Sequence, residues 1–196
     1  MANDADGEGE AEDAIWLDAA YALESPEDNR ALYARWAATY DSGFIEPTGY
    51  VYHTNVTRLF VDAGGSTNAL TLDVGCGTGV VGSALRDMGQ PRVDGIDIST
   101  EMLAAARAKR TPDGDPVYHR LIEADLTAGI ALDDGTYGGV VSVGTFTHGH
   151  LGPDPIAELL RVALPGALFA IGINRDHYSA LGFDDWSNAT LFRLAD

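Results

Sequence analysis

The stretch ALTLDVGCGTGVVGSAL, residues 69–85, opens with an apolar run and continues into a loop rich in glycine. Glycine fills four positions of this loop, as Gly75, Gly77, Gly79 and Gly82. Glycine adopts positive φ without strain, and it lets a ligand approach the main chain where a β-carbon would collide. A buried strand followed by such a loop and by a helix therefore predicts a ligand site at the end of the strand.

Length, charge and cysteine content limit the classes of function. The chain has 196 residues, enough for one domain with a sizeable core, and a formal net charge of -18 at pH 7. Nucleic acids and anionic membranes require basic patches, so neither is expected as a partner. No secretory signal and no apolar run of membrane-spanning length is found, and the single cysteine, Cys76, favours a reducing compartment. We therefore expect a cytoplasmic protein. Because CxxC and HExxH spacings are lacking, we expect no metal site.

Three regions of the chain differ in pattern. Residues 1–13 alternate acids with small residues and predict a disordered acidic tail. Residues 14–66 predict an N-terminal helical cap region, with a helix from about Pro26 to Thr39. In residues 67–196 short apolar runs alternate with helical segments, which predicts an α/β fold with a doubly wound, mostly parallel sheet and helices on both faces. Ligands bind such sheets beyond the carboxyl ends of the strands.

Acidic residues stand at the ends of three apolar runs. Asp73 ends the first run, Asp97 ends the second, and Asp125 follows the third. A carboxylate at Asp97 can accept hydrogen bonds from a ribose diol, and one at Asp125 can accept a hydrogen bond from an exocyclic amine. Asp73 beside the glycine loop favours a ligand that carries positive charge there. Together these positions predict an adenosine bound across the strand ends.

A dinucleotide is the competing ligand, because Gly77, Gly79 and Gly82 match the pattern GxGxxG. The position of the pattern argues against it. The first glycine after the apolar run is Gly75, and a fingerprint that starts there puts Val80 where its third glycine belongs. A nicotinamide-dependent oxidoreductase is therefore the weaker alternative.

Several segments of the chain resemble the class I S-adenosylmethionine-dependent methyltransferases. LDVGCGTG, VDGIDIS and EADL occur in order and are similar to the first three motifs of that family, and LPGALFAIGIN resembles the segment that leads into its fifth strand. LYARWAATYDSGF, residues 32–44, looks like the first helix of the methyltransferase-like group named for the Williams-Beuren syndrome region and of its bacterial relatives. The resemblance runs from about Ser25 to the end of the chain. It implies a Rossmann-like fold, S-adenosyl-L-methionine as cofactor with S-adenosyl-L-homocysteine as product, and direct displacement of the methyl group by an O, N or S atom of a small molecule.

The resemblance also implies a cofactor site, position by position. The glycine loop would line the amino-acid end of the cofactor, with Asp73 beneath it and Tyr40 over the methionine part. Asp97 would bind the ribose hydroxyls, and Asp125 would accept from the adenine amine beside apolar neighbours. The predicted cofactor-binding residues are Tyr40, Asp73, Gly75, Cys76, Gly77, Asp97, Ile98, Met102, Asp125, Leu126 and Gly144.

Histidines follow the fourth apolar run in VGTFTHGHLG, residues 143–152, where the methyl group is expected. A hydroxyl or ammonium acceptor has to lose a proton, and a nearby histidine can take it. His148 and His150 are therefore the candidate catalytic residues, although lining of the pocket or a place in a surface loop would also account for them.

A small molecule is the expected acceptor. The fourth run is not followed by the Asn-Pro-Pro-Tyr type of sequence found in methyltransferases of nucleic-acid bases, and the acidic charge disfavours nucleic acid. Aromatic residues would favour an apolar or cationic acceptor. The candidates for its pocket are Tyr33, Tyr50, Tyr52, His53, Phe146 and the segment NRDHY, residues 174–178.

The C-terminal segment departs from the pattern of the family. The class I fold has seven strands, the last two forming a hairpin after a helix. Residues 182–196 predict that helix, so we expect the C-terminal strand hairpin to be lacking. The fifth strand would then be an open sheet edge, through which a homodimer could form. This departure keeps a second class open, a non-catalytic S-adenosylmethionine-binding or interaction protein.

Overall fold

The computed structural model describes residues 16, 19–65, 68–147, 150–173, 178 and 191–193. The predicted tail, residues 1–13, lies outside them. The helices are α1 (Pro26–Trp36), α2 (Tyr52–Asp62), α3 (Val80–Asp87), α4 (Thr100–Ala108) and α5 (Ile156–Val162). The strands are β1 (Thr71–Val74), β2 (Val93–Asp97), β3 (Arg120–Glu123), β4 (Tyr137–Phe146), β5 (Ala163–Ile173) and β6 (Leu191–Arg193). None of the described helices has both the length and the apolar character that a membrane crossing requires.

The strands form one sheet in the order β3-β2-β1-β4-β5-β6. The first five strands run parallel, and β6 is antiparallel to β5. This arrangement confirms the predicted doubly wound α/β fold. Strand order reverses between β1 and β4, and in parallel sheets this is the place where ligands bind.

Helices cover both faces of the sheet, as predicted. Because successive side chains of a strand point to opposite faces, each buried strand contributes to two cores. One core contains Leu72, Val74 and Phe169 and is covered by α5. The other contains Val141 and Leu168 and is covered by α2, α3 and α4. The continuous apolar runs of the sequence follow from this burial on both faces.

Helix α2 belongs to the covering layer of the sheet, although the sequence analysis assigned it to the cap region. Its Phe60 is fully buried, and a Cβ on Gly65 or Gly139 would overlap the Phe60 ring. The ring therefore needs glycine on both sides. The part that lies over the strand ends is α1 with the π-helical turn Tyr40–Ile45, which we name the α1–π segment.

The start of α1 matches the sequence prediction. The Ser25 hydroxyl accepts a hydrogen bond of 3.1 Å from the Asp28 amide, and Pro26 occupies the first turn. The helix ends at Trp36, three residues before the predicted end, and the chain then enters the π-helical turn. Leu32 and Trp36 form a small core with Ala20.

The prediction of an open edge at β5 is wrong. Leu191–Arg193 is a strand rather than part of a helix, and it pairs with β5 from Leu168 to Ala170. The periodicity of a short apolar run is compatible with a helix or with a strand. Pairing with β5 makes this run a strand. Within the described residues this edge carries one antiparallel strand rather than a hairpin. The predicted route to a homodimer through β5 therefore loses its basis.

Candidate cofactor site

A pocket of about 570 Å³ lies at the carboxyl ends of the strands, beneath the α1–π segment. All the predicted cofactor-binding residues except Asp73 line it. The strand side of the wall is formed by Gly75, Cys76, Gly77, Thr78, Val80, Val81, Asp97, Ile98, Met102, Ala124, Asp125, Leu126, Thr127, Val143, Gly144 and Thr145. The other side is formed by Tyr21, Leu23, Glu24, Ser25, Pro26, Asn29, Tyr33, Tyr40, Tyr50, His53, His150 and Leu151.

The glycine loop presents main chain to the pocket. Gly75 has φ +68°, and a Cβ there would overlap the Thr145 side chain. Gly77 has φ +51°, and no atom lies within 4 Å of the place where its Cβ would be. Glycine at 75 is thus required by packing, whereas glycine at 77 leaves open space for a ligand. Cys76 between them is buried, and burial raises the pKa of its thiol well above the usual value, so it serves as an uncharged wall.

Asp97 joins the end of β2 to the glycine loop. Its Oδ2 accepts a hydrogen bond of 2.8 Å from the Gly77 amide, and its Oδ1 accepts one of 2.9 Å from the Ser99 amide. Burial raises the pKa of Asp97, while these backbone bonds act in the opposite direction. Each carboxylate oxygen keeps a second lone pair. Asp97 can therefore accept from two further donors, such as two hydroxyls.

Asp125 and its apolar neighbours form the wall beyond β3. Asp125 Oδ1 accepts hydrogen bonds from the Thr127 amide at 2.8 Å and the Thr127 hydroxyl at 2.6 Å, which fixes the carboxylate in a local turn. Met102 and Leu126 are buried and lie on the pocket wall with Ile98. This part of the pocket suits a flat apolar ring with a donor at its edge.

Asp73 lies beneath the glycine loop, but it does not reach the pocket that a cofactor-binding residue would line. It is fully buried, on the face of β1 that α3 covers. The Tyr118 hydroxyl donates a hydrogen bond of 2.6 Å to Asp73 Oδ2 and accepts one of 3.2 Å from the Gly82 amide. Asp73 Oδ1 has no hydrogen-bond partner, and burial raises the pKa of Asp73 to about 7. Asp73 therefore supports the loop from below.

The α1–π segment contributes aromatic rings to the opposite wall. Tyr40 lies edge-on to Trp36, with ring centroids 4.8 Å apart, and it faces the pocket as predicted. Tyr50 stacks on His53, with ring centroids 5.7 Å apart. Burial raises the pKa of the Tyr40 hydroxyl well above its usual value, so this hydroxyl keeps its proton at neutral pH.

Comparison with known proteins identifies the family. The model of a methyltransferase domain matches residues 71–166, which contain the glycine loop, Asp97 and Asp125. Human methyltransferase-like protein 27 is 34% identical over 170 residues, and the alignment covers 83% of this chain and 64% of that protein. Residues 71–166 therefore form a methyltransferase domain of the class I S-adenosylmethionine-dependent kind. The chain spans a little under two thirds of the length of the human relative.

Solved structures agree with this assignment. A methyltransferase from Haloferax volcanii, solved in complex with the Trm112 methyltransferase activator, has a TM-score of 0.58 and 23% identity and shows the fold. The match covers 83% of this chain and 70% of that chain. An S-adenosylmethionine-dependent methyltransferase from Aquifex aeolicus has a TM-score of 0.51 and 27% identity, over 60% of this chain and 62% of that chain.

S-adenosylmethionine is the cofactor of this methyltransferase fold, and the residues of the pocket fit it. The space above Gly77 accepts a ligand at main-chain distance, and the unused lone pairs of Asp97 suit a pair of hydroxyls. The apolar wall at Met102 and Leu126 suits a purine ring. Which residue contacts which part of the cofactor stays a prediction.

The two histidine candidates have different outcomes. His148 lies outside the described residues. His150 lines the pocket, and its Nε2 lies 3.0 Å from the Tyr33 hydroxyl. Burial raises the pKa of Tyr33, so its hydroxyl keeps the proton, and the hydroxyl donates to Nε2 or accepts from Nε2–H according to the imidazole tautomer. Gly144, nearby in sequence, lines the same pocket, and its Cβ position lies 4.0 Å from the Tyr50 hydroxyl.

The predicted acceptor residues are only partly brought together. Tyr33, Tyr50 and His53 line the pocket. Phe146 does not, because β4 extends to this residue and turns its side chain into the core. Tyr52 packs on Gly172 at the other side of α2. Residues 174–177 lie outside the described residues, and Tyr178 packs against the core.

Sequence reasoning missed two positions that support the pocket. Tyr118 stands in the third apolar run, and only the fold shows that it reaches Asp73. Asp41 follows Tyr40 and contacts both Thr78 and Lys109. Asp41 stands in the segment LYARWAATYDSGF, residues 32–44, but its contacts, like that of Tyr118, join residues far apart in the chain and are not visible in the sequence. Among the described residues no cluster of potential metal ligands is found.

Proposed function

We propose that this protein transfers a methyl group from S-adenosyl-L-methionine to an O, N or S atom of a small molecule. One observation carries the proposal: the glycine loop, Asp97 and Asp125 border a single pocket at the point where strand order reverses. When bound, the cofactor supplies a methyl group on a positively charged sulfur atom, which is already activated for displacement. The protein then has to bind and orient the cofactor and the acceptor, and to exclude water from the pocket.

We assign the adenosine to the strand side of the pocket. Asp97 accepts hydrogen bonds from the two ribose hydroxyls, because it lines the pocket while the Gly77 and Ser99 amides hold its carboxylate in place. Asp125 accepts from the adenine amine. Met102 and Leu126 cover the ring, because both are apolar and already buried. The Gly75–Gly77 main chain and the Tyr40 ring then enclose the methionine part.

We assign the acceptor to the side of Tyr33 and His150. Their polar atoms lie 3.0 Å apart, so the imidazole is held in one orientation at the pocket wall. In the tautomer whose Nε2–H donates to the Tyr33 oxygen, Nδ1 of His150 carries no proton and can take the one that a hydroxyl or ammonium acceptor must lose. His148 is the second candidate for this role.

The acceptor is a small molecule. The pocket volume of about 570 Å³ is typical of small-molecule sites, and the net charge of -18 disfavours nucleic acid. A cytoplasmic location is part of the proposal and rests on the single cysteine.

Calorimetric titration with S-adenosylmethionine and S-adenosylhomocysteine, with NADH as control, tests the proposal. We expect both adenosyl ligands to bind and NADH not to bind. If neither adenosyl ligand binds, the proposed function is refuted. Binding without turnover in a screen of hydroxyl, amine and thiol acceptors would favour the non-catalytic binding protein instead. Binding of NADH alone would favour the oxidoreductase.

A further inference from the structure

Asp41 joins three elements around the glycine loop. It lies in the π-helical turn directly after Tyr40. Its Oδ1 accepts a hydrogen bond of 2.5 Å from the Thr78 hydroxyl in the glycine loop. Its Oδ2 pairs at 2.5 Å with the ammonium of Lys109, the residue after α4. One carboxylate therefore ties the α1–π segment to the glycine loop and to the end of α4.

The partners of Asp41 are themselves held by the fold. The Thr78 side chain is buried, so its hydroxyl has few alternatives to Asp41. The Lys109 side chain crosses the loop, and its Cδ lies 3.3 Å from the Cβ position of Gly79. About a quarter of the Lys109 side chain and a third of the Asp41 side chain remain exposed, at 26% and 35%. A partly buried pair with a second charge-assisted bond is stronger than an ion pair in open solvent.

The contact has a direct effect on Tyr40. Tyr40 begins a π-helical turn, and such turns are rare and often occur at functional sites. Two side-chain hydrogen bonds from α1 also hold the α1–π segment: Arg30 Nε donates to the Ile98 carbonyl at 3.4 Å, and the Tyr33 hydroxyl bonds to His150. In the π-helical turn, Phe44 packs on Tyr50. Arg30 and Tyr33 both lie in α1. Of these side-chain hydrogen bonds, those of Asp41 are therefore the ones next to Tyr40 in the chain.

We propose that Asp41 is a positioning residue that couples the α1–π segment to the glycine loop. By holding Thr78 and Lys109 it keeps Tyr40 over the pocket, so that release of the cofactor requires this bridge to open. The inference rests on the proposed function, because it concerns retention of the cofactor. Asp41 acts through Tyr40 and the loop rather than by contact with the reacting atoms.

Four single variants, and the double variant of Asp41→Ala with Thr78→Val, test the bridge with S-adenosylhomocysteine as the probe. Asp41→Ala removes both contacts, and Thr78→Val removes the hydroxyl while preserving side-chain volume. Thr78→Ser restores the hydroxyl. Asp113→Asn is the matched control, because Asp113 is an exposed acid outside the pocket. Dissociation is followed by tryptophan fluorescence in stopped flow, since Trp36 packs on Tyr40. Amide hydrogen exchange of residues 40–45 gives a readout that does not depend on the ligand.

We expect Asp41→Ala and Thr78→Val to release S-adenosylhomocysteine roughly tenfold faster, with thermal stability close to that of the wild type. The double variant should be no worse than Asp41→Ala alone, because both changes break one bridge. Thr78→Ser and Asp113→Asn should behave like the wild type, and exchange of residues 40–45 should rise only in the first two variants. If Asp41→Ala does not fold, Asp41→Asn takes its place.

Unchanged release from Asp41→Ala, or additive effects in the double variant, would overturn the inference while leaving the proposed function intact. Failure of the wild type to bind S-adenosylmethionine or S-adenosylhomocysteine would overturn both. The two results are distinguished by the wild-type titration, which is made first.

Discussion

The hydroxyl of Tyr118 lies 2.6 Å from Oδ2 of Asp73, and both side chains are buried beneath the glycine loop. Burial raises the pKa of Asp73 from its ordinary value of 3.8 to about 7, although the bond from Tyr118 lowers it. Between about pH 4 and pH 7 the folded chain therefore holds a proton at Asp73 that the unfolded chain has lost. In this window folding stability is expected to fall as pH rises.

The variant Asp73→Asn isolates this contribution. Asparagine cannot ionise, so the free energy of unfolding of the wild type should decrease relative to Asp73→Asn by on the order of 3 kcal/mol across the window. Urea unfolding of both proteins at pH 4, 5, 6, 7 and 8 measures the difference, in which the other titrating groups cancel. A difference that is constant over this range would contradict the prediction.

Tyr118→Phe gives an independent test of the same pair. Because the hydroxyl stabilises the ionised carboxylate, its removal should destabilise the protein more at pH 8 than at pH 5. At pH 8 we expect a loss of about 2 kcal/mol, the usual cost of leaving a buried polar group without its partner. An equal loss at both pH values would mean that the bond serves packing and not the charge of Asp73.

Glycine at position 77 is expected to be needed for the ligand more than for the fold. Gly77→Ala places a Cβ in the open space of the pocket, at φ +51°. Gly114→Ala is the matched control: its φ is +88°, nothing lies within 4 Å of its Cβ position, and it is outside the pocket. Both variants should lose about 1 kcal/mol of stability from backbone strain. Only Gly77→Ala should weaken S-adenosylhomocysteine binding in calorimetry, and equal affinities would refute the role of Gly77.

The sequence predicted the strand-side wall because that wall depends on local order. A strand, a glycine loop and a helix in succession place Gly77 at a strand end, and parallel strands bring Asp97 and Asp125 to the same edge. Contacts between distant segments were not predictable in this way. Gly82 matched a dinucleotide pattern, yet its Cβ would overlap the Tyr118 ring, so packing explains that glycine. A sequence pattern cannot separate a glycine required by a neighbouring ring from one required by a ligand.

The other differences between the sequence-based predictions and the structure also come from packing and pairing that the sequence does not show. Phe146 follows the fourth run like a pocket residue, but β4 continues through it, and alternation along the strand directs its ring to the core. Leu191–Arg193 is too short for its periodicity to distinguish strand from helix. Asp41 contacts Thr78 and Lys109 because the chain forms a π-helical turn at Tyr40–Ile45. The composition of the sequence does not predict where that turn occurs.

Asp97 is expected to be the most sensitive position for cofactor affinity. Asp97→Ala removes the proposed acceptor for the ribose and also the bonds from the Gly77 and Ser99 amides. S-adenosylhomocysteine should bind at least about a hundredfold more weakly, since two charge-assisted hydrogen bonds are lost and the loop is released. Asp97→Asn keeps one carbonyl oxygen and should lose less. Calorimetry measures both affinities, and circular dichroism checks that the fold persists. An affinity of Asp97→Ala equal to that of the wild type would exclude the ribose assignment.

The pair of Tyr33 and His150 is expected to matter for acceptors that must lose a proton. His150→Gln removes the imidazole, and Tyr33→Phe keeps the ring while removing the hydroxyl that lies 3.0 Å from Nε2. With a hydroxyl acceptor kcat should fall at least about tenfold in His150→Gln and by less in Tyr33→Phe, because a positioned base contributes that much or more to such transfers. A thiol acceptor, which ionises without help near neutral pH, should be affected much less.

Formation of S-adenosylhomocysteine with paired hydroxyl and thiol acceptors measures this difference. His119→Gln serves as control, because His119 bonds to Asp94 and lies outside the pocket. The affinity for S-adenosylhomocysteine should stay within about twofold in all three variants, which separates proton transfer from cofactor binding. If hydroxyl and thiol acceptors slow by the same factor in His150→Gln, the histidine shapes the pocket and takes no proton. A histidine base would then have to be His148, and the variant His148→Gln would test it.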